Sequence, residues 1–362
     1  MDTKRYINTA ILCSGIALGV YIPGLLLRDA LEPDIKAEIF VLENLFPENL
    51  QDNIIRNKEA FHSSMRIATK GHQKVTDLSS NCSDKELERL FDYWVNKEIQ
   101  EFILISGYWQ AIIEKFKTIY PNYQINVECI HMDAVMANSW SNSKNTKLSC
   151  NHYQLFDGEN NKINFTISQK SNVKLFKERE DRVLLHGGGW GMGDYEEAIR
   201  CLLDRNLMIN RVIYYKKEHK NLLNQSLVLL YLDEEWKPWV RNKDGEYTYP
   251  RMIELKEKKE MNISRDSLYG NVKAIVSKPG GGTLLDSLEY QIPIIFVGSL
   301  GYWEEKNAEL WIDLGLGMWF DEWKQKDFSF LVLEETHERI KKMKAKIPLL
   351  EEVIKCNSQK QQ

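Results

Sequence analysis

Two glycine-rich loops in the second half of the chain carry residues suited to binding an anion. The first lies in "RVLLHGGGWGMGDYEEAI", where an apolar strand leads into a helix through Gly187, Gly188, Gly189, Gly191 and Gly193. Glycine has no Cβ, so the backbone can approach a ligand closely, and the start of the next helix offers free N–H groups to a phosphate. A connection capped by Asp194 and Glu197 explains those two residues but not the five glycines.

The second loop, in "AIVSKPGGGTLLDSLEYQIPIIF", repeats the order of strand, glycines and helix. The residues that could hold a phosphate here are Lys278, Gly280, Gly281, Gly282 and Thr283, and the lysine adds a positive charge. Asp286 lies one turn into the helix, where it could accept a hydrogen bond from a sugar or ribose hydroxyl. Thr283 and Asp286 also have the spacing of a helix capping box, and the spacing leaves both interpretations open.

The elements that would position these loops alternate between strands and helices. Strands such as "EFILISG", "QINVECIHMD" and "KAIVSK" are separated by helical segments such as "DKELERLFDYWVNKEIQ" and "TLLDSLEY", which indicates an α/β fold with parallel sheets. A polar stretch around 151–180 breaks the pattern. We therefore predict a Rossmann-like domain over 1–165, a second over 175–335 and a helical segment over 336–362. Ligands bind such sheets at the carboxyl ends of the strands, so a cleft between the domains is expected.

The first 27 residues contain an uncharged run, "YINTAILCSGIALGVYIPGLLL", behind two basic residues. Such a run is typical of a secretory signal or a membrane anchor. However, Gly15, Gly19, Pro23 and Gly24 all disfavour a spanning helix, and no small-residue cleavage site follows. The alternative is a strand "NTAILCS", a turn "GIALG" and a helix with Pro23 in its first turn. This interpretation predicts a cytoplasmic protein.

The composition limits the classes of partner and cofactor. A formal net charge of -4 over 362 residues gives no reason to expect nucleic acid, since phosphate backbones select basic surfaces. The six cysteines show neither zinc-ligand spacing nor a disulfide framework, so we predict reduced thiols, no metal site and no cofactor.

The residues of the second loop also resemble a known family. "SKPGGGTLLDSLEYQIPIIFV", with "KNAELWIDLGLG" beyond it, is similar to the donor site of GT-B glycosyltransferases, in particular the group of the peptidoglycan lipid-intermediate N-acetylglucosaminyltransferase and the monogalactosyldiacylglycerol synthases. "GGGWGMG" is similar to the first glycine loop of the synthases. "LGVYIPGLLLRDAL" and "CIHMDAVMANSW" resemble, more weakly, the acceptor-side loop, which here includes Gly15 and Gly19, and a second acceptor-side segment.

The resemblance implies a GT-B fold of two Rossmann-like domains in tandem, with an interdomain cleft and a C-terminal helix that crosses back to the first domain. It implies that both glycine loops hold the diphosphate of a nucleotide sugar, which in this family is commonly a UDP-sugar. Asp286 falls where an acidic residue binds the ribose hydroxyls. Glu304 falls where the family has a Gln that contacts the donor sugar, and Asn307 matches the Asn that follows it.

The catalytic base of the family has no counterpart in this sequence. Where the relatives have a histidine in the first loop, this chain has Val20, which cannot accept a proton. Asp133 and His131, at the end of "NVECIHMD", are the candidates to replace it, since the end of that strand should face the cleft. Strand-end polar residues also commonly bond only to loop backbone, and that alternative stays open.

A few further residues allow two interpretations. His186 could contact phosphate or be structural, and His62 and His72 fall in a predicted loop, "HSSMRIATKGH", without an identifiable partner. Trp236 and Trp239 lie in an irregular insertion, which we expect to pack on its own domain rather than to meet an apolar acceptor or a membrane surface.

Three functions are compatible with these features. The first is an inverting, metal-independent glycosyltransferase that moves a sugar from a nucleotide sugar to a hydroxyl or amine of an acceptor that the sequence does not identify, with a peripheral membrane contact as one option. The second is a nucleotide-sugar hydrolase or epimerase with the same fold. The third is a non-catalytic protein that binds the donor. The sequence does not predict an oligomeric state.

Overall fold

The first half of the chain forms a parallel sheet. The computed structural model describes residues 8–16, 18–73, 77–140, 148–169, 171–221, 225–256 and 259–360. The strands of this sheet are β1 (Asn8–Cys13), β2 (Lys36–Val41), β3 (Glu101–Leu104), β4 (Asn126–His131) and β5 (Asn151–Gln154). They lie in the order β2-β1-β3-β4-β5. The helices are α1 (Leu18–Leu31), α2 (Glu48–Ser63), α3 (Met65–Gln73), α4 (Asp84–Asn96) and α5 (Gln110–Ile119).

The second half forms a larger sheet after a short hairpin, β6 (Phe156–Asp157) and β7 (Lys162–Ile163). Its strands are β8 (Arg182–Leu185), β9 (Met208–Ile213), β10 (Leu227–Leu232), β11 (Met252–Lys256), β12 (Lys259–Ile263), β13 (Ala274–Ser277), β14 (Ile294–Phe296) and β15 (Gly317–Trp319). The order is β12-β11-β10-β9-β8-β13-β14-β15. Strand β11 is antiparallel to both of its neighbours, β10 and β12. The helices are α6 (Glu196–Asp204), α7 (Arg265–Tyr269), α8 (Gly281–Tyr290), α9 (Tyr302–Asp313), α10 (Phe320–Gln325), α11 (Phe330–Lys344) and α12 (Leu350–Lys360).

The central strands are buried along almost their whole length. All four residues of β13 are buried, as are Ala10 to Cys13 of β1. A strand covered on both faces must be apolar throughout rather than alternating, which is why these segments read as continuous apolar runs. The predicted α/β class, with two Rossmann-like domains, is confirmed.

Helix α1 begins five residues earlier than the sequence predicts. Pro23 lies inside the helix, not in its first turn, and Gly19 belongs to the first turn, not to the preceding loop. Because proline has no N–H, the carbonyl of Gly19 cannot accept the usual helical bond from residue 23. The apolar residues around Pro23 are buried in the core, and this packing outweighs the weak helix propensity of the segment.

The irregular insertion at 233–251 packs on the first domain, so the prediction that it covers its own domain is wrong. Trp236 contacts the Tyr21 ring edge-on at 5.7 Å between ring centroids. The Tyr21 hydroxyl donates to the carbonyl of Thr248 at 2.9 Å, and the Tyr249 hydroxyl donates to Asp29 at 2.8 Å. Trp239 is buried, so its indole is not available to a membrane surface.

The end of the described chain also contacts the first domain. Asn357 of α12 donates to the Tyr153 hydroxyl at 2.7 Å. The Glu351 carboxylate accepts from the backbone N–H of Ser168 at 3.1 Å, and Lys355 pairs with Asp34 at 3.1 Å. Helix α12 therefore joins the two halves of the molecule on the side where the chain crosses between them.

The segment "HSSMRIATKGH" is helical rather than a loop, because α2 extends to Ser63 and α3 begins at Met65. His62 therefore lies on the last turn of α2. The side chain of His72 falls outside the residues that the structure describes. Within the described part of the chain, no helix is both long and apolar enough to cross a membrane.

Candidate functional site

The two glycine loops lie side by side at the carboxyl edge of the second sheet. Strands β8 and β13 are parallel neighbours, with Leu185 opposite Val276, so the loops that follow them emerge at the same edge. They enclose a cavity of about 180 Å³ together with the first turn of α1. The strand arrangement therefore brings together the two loops that are far apart in the sequence.

Lys278 places its ammonium group between the two loops. A Cβ added to Gly188 or to Gly280 would lie 3.7 Å from Lys278 Nζ. The ammonium forms an ion pair with the Glu304 carboxylate, whose other oxygen accepts from the backbone N–H of Leu300 at 2.7 Å. Lys278 and Glu304, both predicted to bind the donor, thus contact each other, and Glu304 is only 4% exposed.

The first loop needs its glycines for steric reasons as well as for ligand approach. Gly191 has φ of 64°, a left-handed conformation that favours glycine. A Cβ on Gly187 would lie 2.5 Å from the backbone of Gly191, and one on Gly189 would lie 2.5 Å from the Leu18 side chain in α1. The loop is therefore folded on itself and pressed against the first domain.

His186 lines this cavity and has a buried ring nitrogen without a partner among the described residues. Its Nδ1 accepts from the backbone N–H of Gly188 at 3.1 Å, so the proton of the neutral ring is on Nε2. The buried Nε2 atom has no hydrogen-bond partner among the described residues, and the side chain lines the cavity. Burial lowers the pKa of His186 to about 4, which keeps the ring neutral at physiological pH. A buried N–H without an acceptor costs about 1–3 kcal/mol, so a ligand that supplies one would be favoured.

Asp286 lies in the cavity, but both of its oxygens already have partners. One is paired with the Arg265 guanidinium, and the other accepts from the Tyr269 hydroxyl at 2.7 Å. The capping-box interpretation of Thr283 and Asp286 is wrong, because α8 begins at Gly281 and neither residue caps it. The remaining lone pairs of the carboxylate are available to a ligand hydroxyl.

The capping of the helix behind the first loop also differs from expectation. Helix α6 begins at Glu196, and Asp194 accepts from the backbone N–H of Glu196 at 3.3 Å rather than forming a capping box with Glu197. The predicted helix start at Asp194 is thus two residues early. Within the loop, the N–H groups of Gly187 and Gly188 donate to the Tyr214 hydroxyl and to His186 Nδ1, each at 3.1 Å, so an anion would have to meet other N–H groups of the loop.

Asn307 links the second loop to the end of β4. Its amide donates to the Asp133 carboxylate at 2.8 Å and to the carbonyl of Pro279 at 2.9 Å. Its oxygen accepts from the backbone N–H of Ala134 at 2.7 Å. Burial, together with the charge of Glu304, raises the pKa of Asp133 to about 6, although the bond from Asn307 opposes this shift. Asp133 therefore lies at the junction of the two domains.

Both glycine loops approach the first domain closely. A Cβ on Gly281 would lie 2.2 Å from the carbonyl oxygen of Met132, and one on Gly282 would lie 3.3 Å from the Cα of Gly19. A bulkier residue at either position would push the domains apart. Gly19 therefore faces the second loop, as the resemblance implies, whereas a Cβ on Gly15 would meet Pro238 of the insertion.

His131 does not reach the loops. Its Nε2 lies 2.9 Å from Nδ1 of His152, and its ring packs on Trp140 with 4.4 Å between centroids. Burial and the neighbouring His152 lower the pKa of His131 to about 4. Its surroundings are those of a structural or positioning group, and Asp133 is the candidate that contacts the second domain.

Two residues that shape this site were not assigned to it from the sequence: Glu43 was missed, and His62 was named without a partner. Glu43 is fully buried at the end of β2 and accepts from the backbone N–H groups of Gly15 at 2.6 Å and Ile16 at 3.1 Å, and burial raises its pKa. It therefore holds the loop between β1 and α1. His62 contacts the first loop, with Nδ1 3.0 Å from the carbonyl of Gly191 and Nε2 3.4 Å from the Glu218 carboxylate. No local pattern marks either residue.

The chain resembles solved glycosyltransferases over nearly its whole length. MurG of Acinetobacter baumannii is 11% identical, with a TM-score of 0.54 over 98% of this chain and 99% of that one. The glycosyltransferase SsfS6 of Streptomyces sp. SF2575, solved with thymidine diphosphate, is 11% identical, with a TM-score of 0.56 over 98% and 100%. SnogD of Streptomyces nogalater is 11% identical, with a TM-score of 0.52 over 95% and 97%.

These likenesses establish the fold. The chain has the GT-B fold, as the loop residues implied. No protein-family model matches the sequence, and no curated protein matches it either. At such low identity, the activity must be argued from the site.

Proposed function

We propose that this protein is a glycosyltransferase that uses a nucleotide sugar as donor. The observation that supports this most directly is the convergence of hydrogen-bond donors and positive charge between the two glycine loops. Glycines of both loops, Lys278 and His186 all line one cavity. Such a set is suited to the two phosphates of a nucleoside diphosphate.

The same groups would assist the departure of the leaving group. As the glycosidic bond to the donor breaks, negative charge develops on the diphosphate. Fixed N–H groups and the Lys278 ammonium would stabilise that charge in a site with little water, and we propose that this makes a metal ion unnecessary. Attack by an acceptor hydroxyl or amine from the first domain would proceed with inversion and would need a base, for which Asp133 is our candidate.

The nucleoside would occupy the outer part of the cavity. Asp286 could accept from a ribose hydroxyl while Arg265 and Tyr269 hold its side chain in place. A UDP-sugar offers a 2′-hydroxyl that a thymidine donor lacks, so we propose UDP. The cavity of about 180 Å³ is smaller than the roughly 300–1,000 Å³ typical of small-molecule sites, so donor entry would require the domains to separate.

Val20 supports a second candidate function. The chain has no proton acceptor at that position of α1. A nucleotide-sugar hydrolase or epimerase uses water or no acceptor, so it would have no acceptor hydroxyl for that base to deprotonate. A non-catalytic protein that binds the donor is the third candidate. All three share the donor site and differ in what reacts with the donor: an acceptor in the transferase, water or no acceptor in the hydrolase or epimerase, and nothing in the non-catalytic protein.

A panel of UDP- and dTDP-sugars tests the proposal. We expect UDP to raise the melting temperature of the full chain and an acceptor panel to accelerate release of UDP from one UDP-sugar. Rapid release without any acceptor would instead support the hydrolase, and tight binding without turnover would support the non-catalytic protein. If no nucleoside diphosphate protected the protein against thermal unfolding, the donor site itself would be wrong.

The substitution His186→Asn tests the proposed contact of the histidine with phosphate. The asparagine oxygen can still accept from Gly188, whereas the N–H at the Nε2 position is lost. One missing hydrogen bond is expected to cost about 1 kcal/mol, or roughly a fivefold rise in the Kd for UDP. Isothermal titration calorimetry measures this.

The matched control is His337→Asn, because His337 is a buried histidine on α11 that bonds to the carbonyl of Gln291. It should alter stability but not UDP affinity. An unchanged Kd for UDP in His186→Asn would show that Nε2 does not contact the donor.

A further inference from the structure

A cluster of thiol and imidazole groups lies in the first domain, apart from the glycine loops. The adjacent parallel strands β4 and β5 bring two Cys-x-His sequences together: Cys129 and His131 lie in β4, and Cys150 directly precedes β5, which contains His152. Cys129 is paired with His152 in the register of the sheet. Because side chains alternate along a strand and paired residues share a face, all four side chains lie on the same face of the sheet.

Three of these residues have the spacing of metal ligands. The sulfur atoms of Cys129 and Cys150 and a ring nitrogen of His152 all lie within 4.8 Å of one another. Cys150 Sγ is 3.2 Å from His152 Nε2. Tetrahedral zinc, with Zn–S near 2.3 Å and Zn–N near 2.0–2.1 Å, separates its ligand atoms by about 3.5–3.8 Å. The three atoms need only small movements to surround such an ion.

His131 supplies the second element of a metal site. Its Nε2 lies 2.9 Å from Nδ1 of His152, which leaves Nε2 of His152 on the side of the two sulfur atoms. Histidine ligands of metals usually donate their other ring N–H to a neighbouring acceptor, and this bond fixes the ring. His131, packed against Trp140, is placed to be that acceptor.

We propose that Cys129, Cys150 and His152 bind a Zn²⁺ ion, with water as the fourth ligand and His131 as a positioning residue. Binding would release the protons of both thiols, and Nδ1–H of His152 would donate to His131. Cys129 is buried, Cys150 is partly buried and His152 is exposed, so the ion can enter from solvent. Zinc is the class of ion that thiolate and imidazole ligands favour in tetrahedral sites.

The site would have a structural role. Strand β5 has only four residues and lies at the edge of its sheet, where one side of the strand is unpaired among the described residues. An ion that joins β4 to β5 would fasten this edge just before β4 leads to Asp133. The inference does not depend on the proposed donor site.

The zinc content of the full chain tests this site. The protein is first reduced and dialysed against a chelator, and is then dialysed against zinc. We expect one bound zinc per chain by mass spectrometry, and a cobalt-substituted protein with thiolate charge-transfer and tetrahedral d–d bands. The variants Cys150→Ser and His152→Ala, at positions that are not buried, should lose the ion and the bands. His131→Leu should weaken zinc binding about 10–100-fold, and His131→Gln, which keeps an acceptor, should restore much of it.

The matched control is Cys82→Ser, because Cys82 is another partly buried thiol of the first domain. It should bind zinc as the wild type does. Zinc content unchanged in Cys150→Ser and His152→Ala would place the ion elsewhere and overturn the site. The site would also be overturned if the chain bound no zinc. The same holds if Cys129 and Cys150 formed a disulfide that persisted in the presence of zinc and reductant.

Discussion

Replacing Lys278 by methionine is expected to weaken binding of UDP by roughly 10–150-fold. Lys278 is a cation whose Nζ lies between the two glycine loops, and a hydrogen bond to a charged group contributes about 1.5–3 kcal/mol. Methionine keeps the length and the apolar stem of the side chain but removes its charge. Calorimetric titration with UDP measures the loss directly.

The same substitution should also destabilise the protein, for a different reason. Glu304 is almost fully buried and is paired with Lys278. Removing one partner of a buried ion pair leaves an uncompensated charge, which typically costs about 3–5 kcal/mol. Urea unfolding in the absence of nucleotide therefore reports on Glu304 rather than on the donor.

The double substitution Lys278→Met and Glu304→Gln separates the two effects. Glutamine is neutral and its oxygen can still accept from the N–H of Leu300, so most of the lost stability should return. UDP affinity should stay low, because the ammonium is still missing. Lys306→Met, which removes a cation of α9 that pairs with Glu309 in the next turn and lies over the Tyr302 ring, should change neither quantity. Wild-type UDP affinity in the double variant would mean that Lys278 serves only to neutralise Glu304.

The parts of the fold that could be predicted are those with local signals. Strands β8 and β13 are short apolar runs, each followed directly by glycines and a helix, so their type and the position of the two loops follow from neighbouring residues alone. Strand β10, "LVLLYL", has the same apolar character. It was not assigned because it follows a polar stretch and directly precedes the irregular insertion.

What could not be predicted depends on contacts between distant segments. Asp286 is marked by its place in α8, but its partner Arg265 comes from α7 on another edge of the cavity. Glu43 appears in the sequence as an ordinary acidic residue, and only the tertiary fold buries it beneath the loop after β1. Cys129 and His152 become neighbours through strand pairing, so their spacing along the chain matches no metal motif.

Several contacts between the domains lie at the proposed donor site. Asn307 reaches Asp133, Gly281 lies against Met132, and His62 bonds to the carbonyl of Gly191. A ligand that orders the two loops would therefore also affect how closely the first domain can approach. This arrangement puts Asp133 at the junction of the domains, next to the second glycine loop, which makes its proposed role in turnover testable.

Asp133→Asn is expected to lower turnover about 10²–10⁴-fold, the usual contribution of a general base. The carboxylate of Asp133 must be ionised to accept a proton, and burial raises its pKa to about 6. Wild-type turnover should therefore fall as the pH drops through about 6, and the residual activity of the variant should lack this step. Initial rates of UDP release between pH 5 and 8 measure both. This range extends about one unit below and about two units above that pKa.

Stability distinguishes a lost base from a damaged interface. The pKa of Asp133 is higher in the folded protein than its ordinary value of 3.8. Protonation of this group therefore stabilises the folded state at low pH. That stabilisation is lost as the pH rises through about 6. A neutral asparagine avoids the penalty of a buried charge and can still accept from Asn307. The variant should therefore be at least as stable as the wild type at pH 7 while turning over far more slowly.

Asp84→Asn, on the exposed start of α4, should leave turnover unchanged. If Asp133→Asn kept turnover within a few-fold of the wild type, Asp133 would serve only to hold Asn307, and the acceptor would have to be deprotonated by another group.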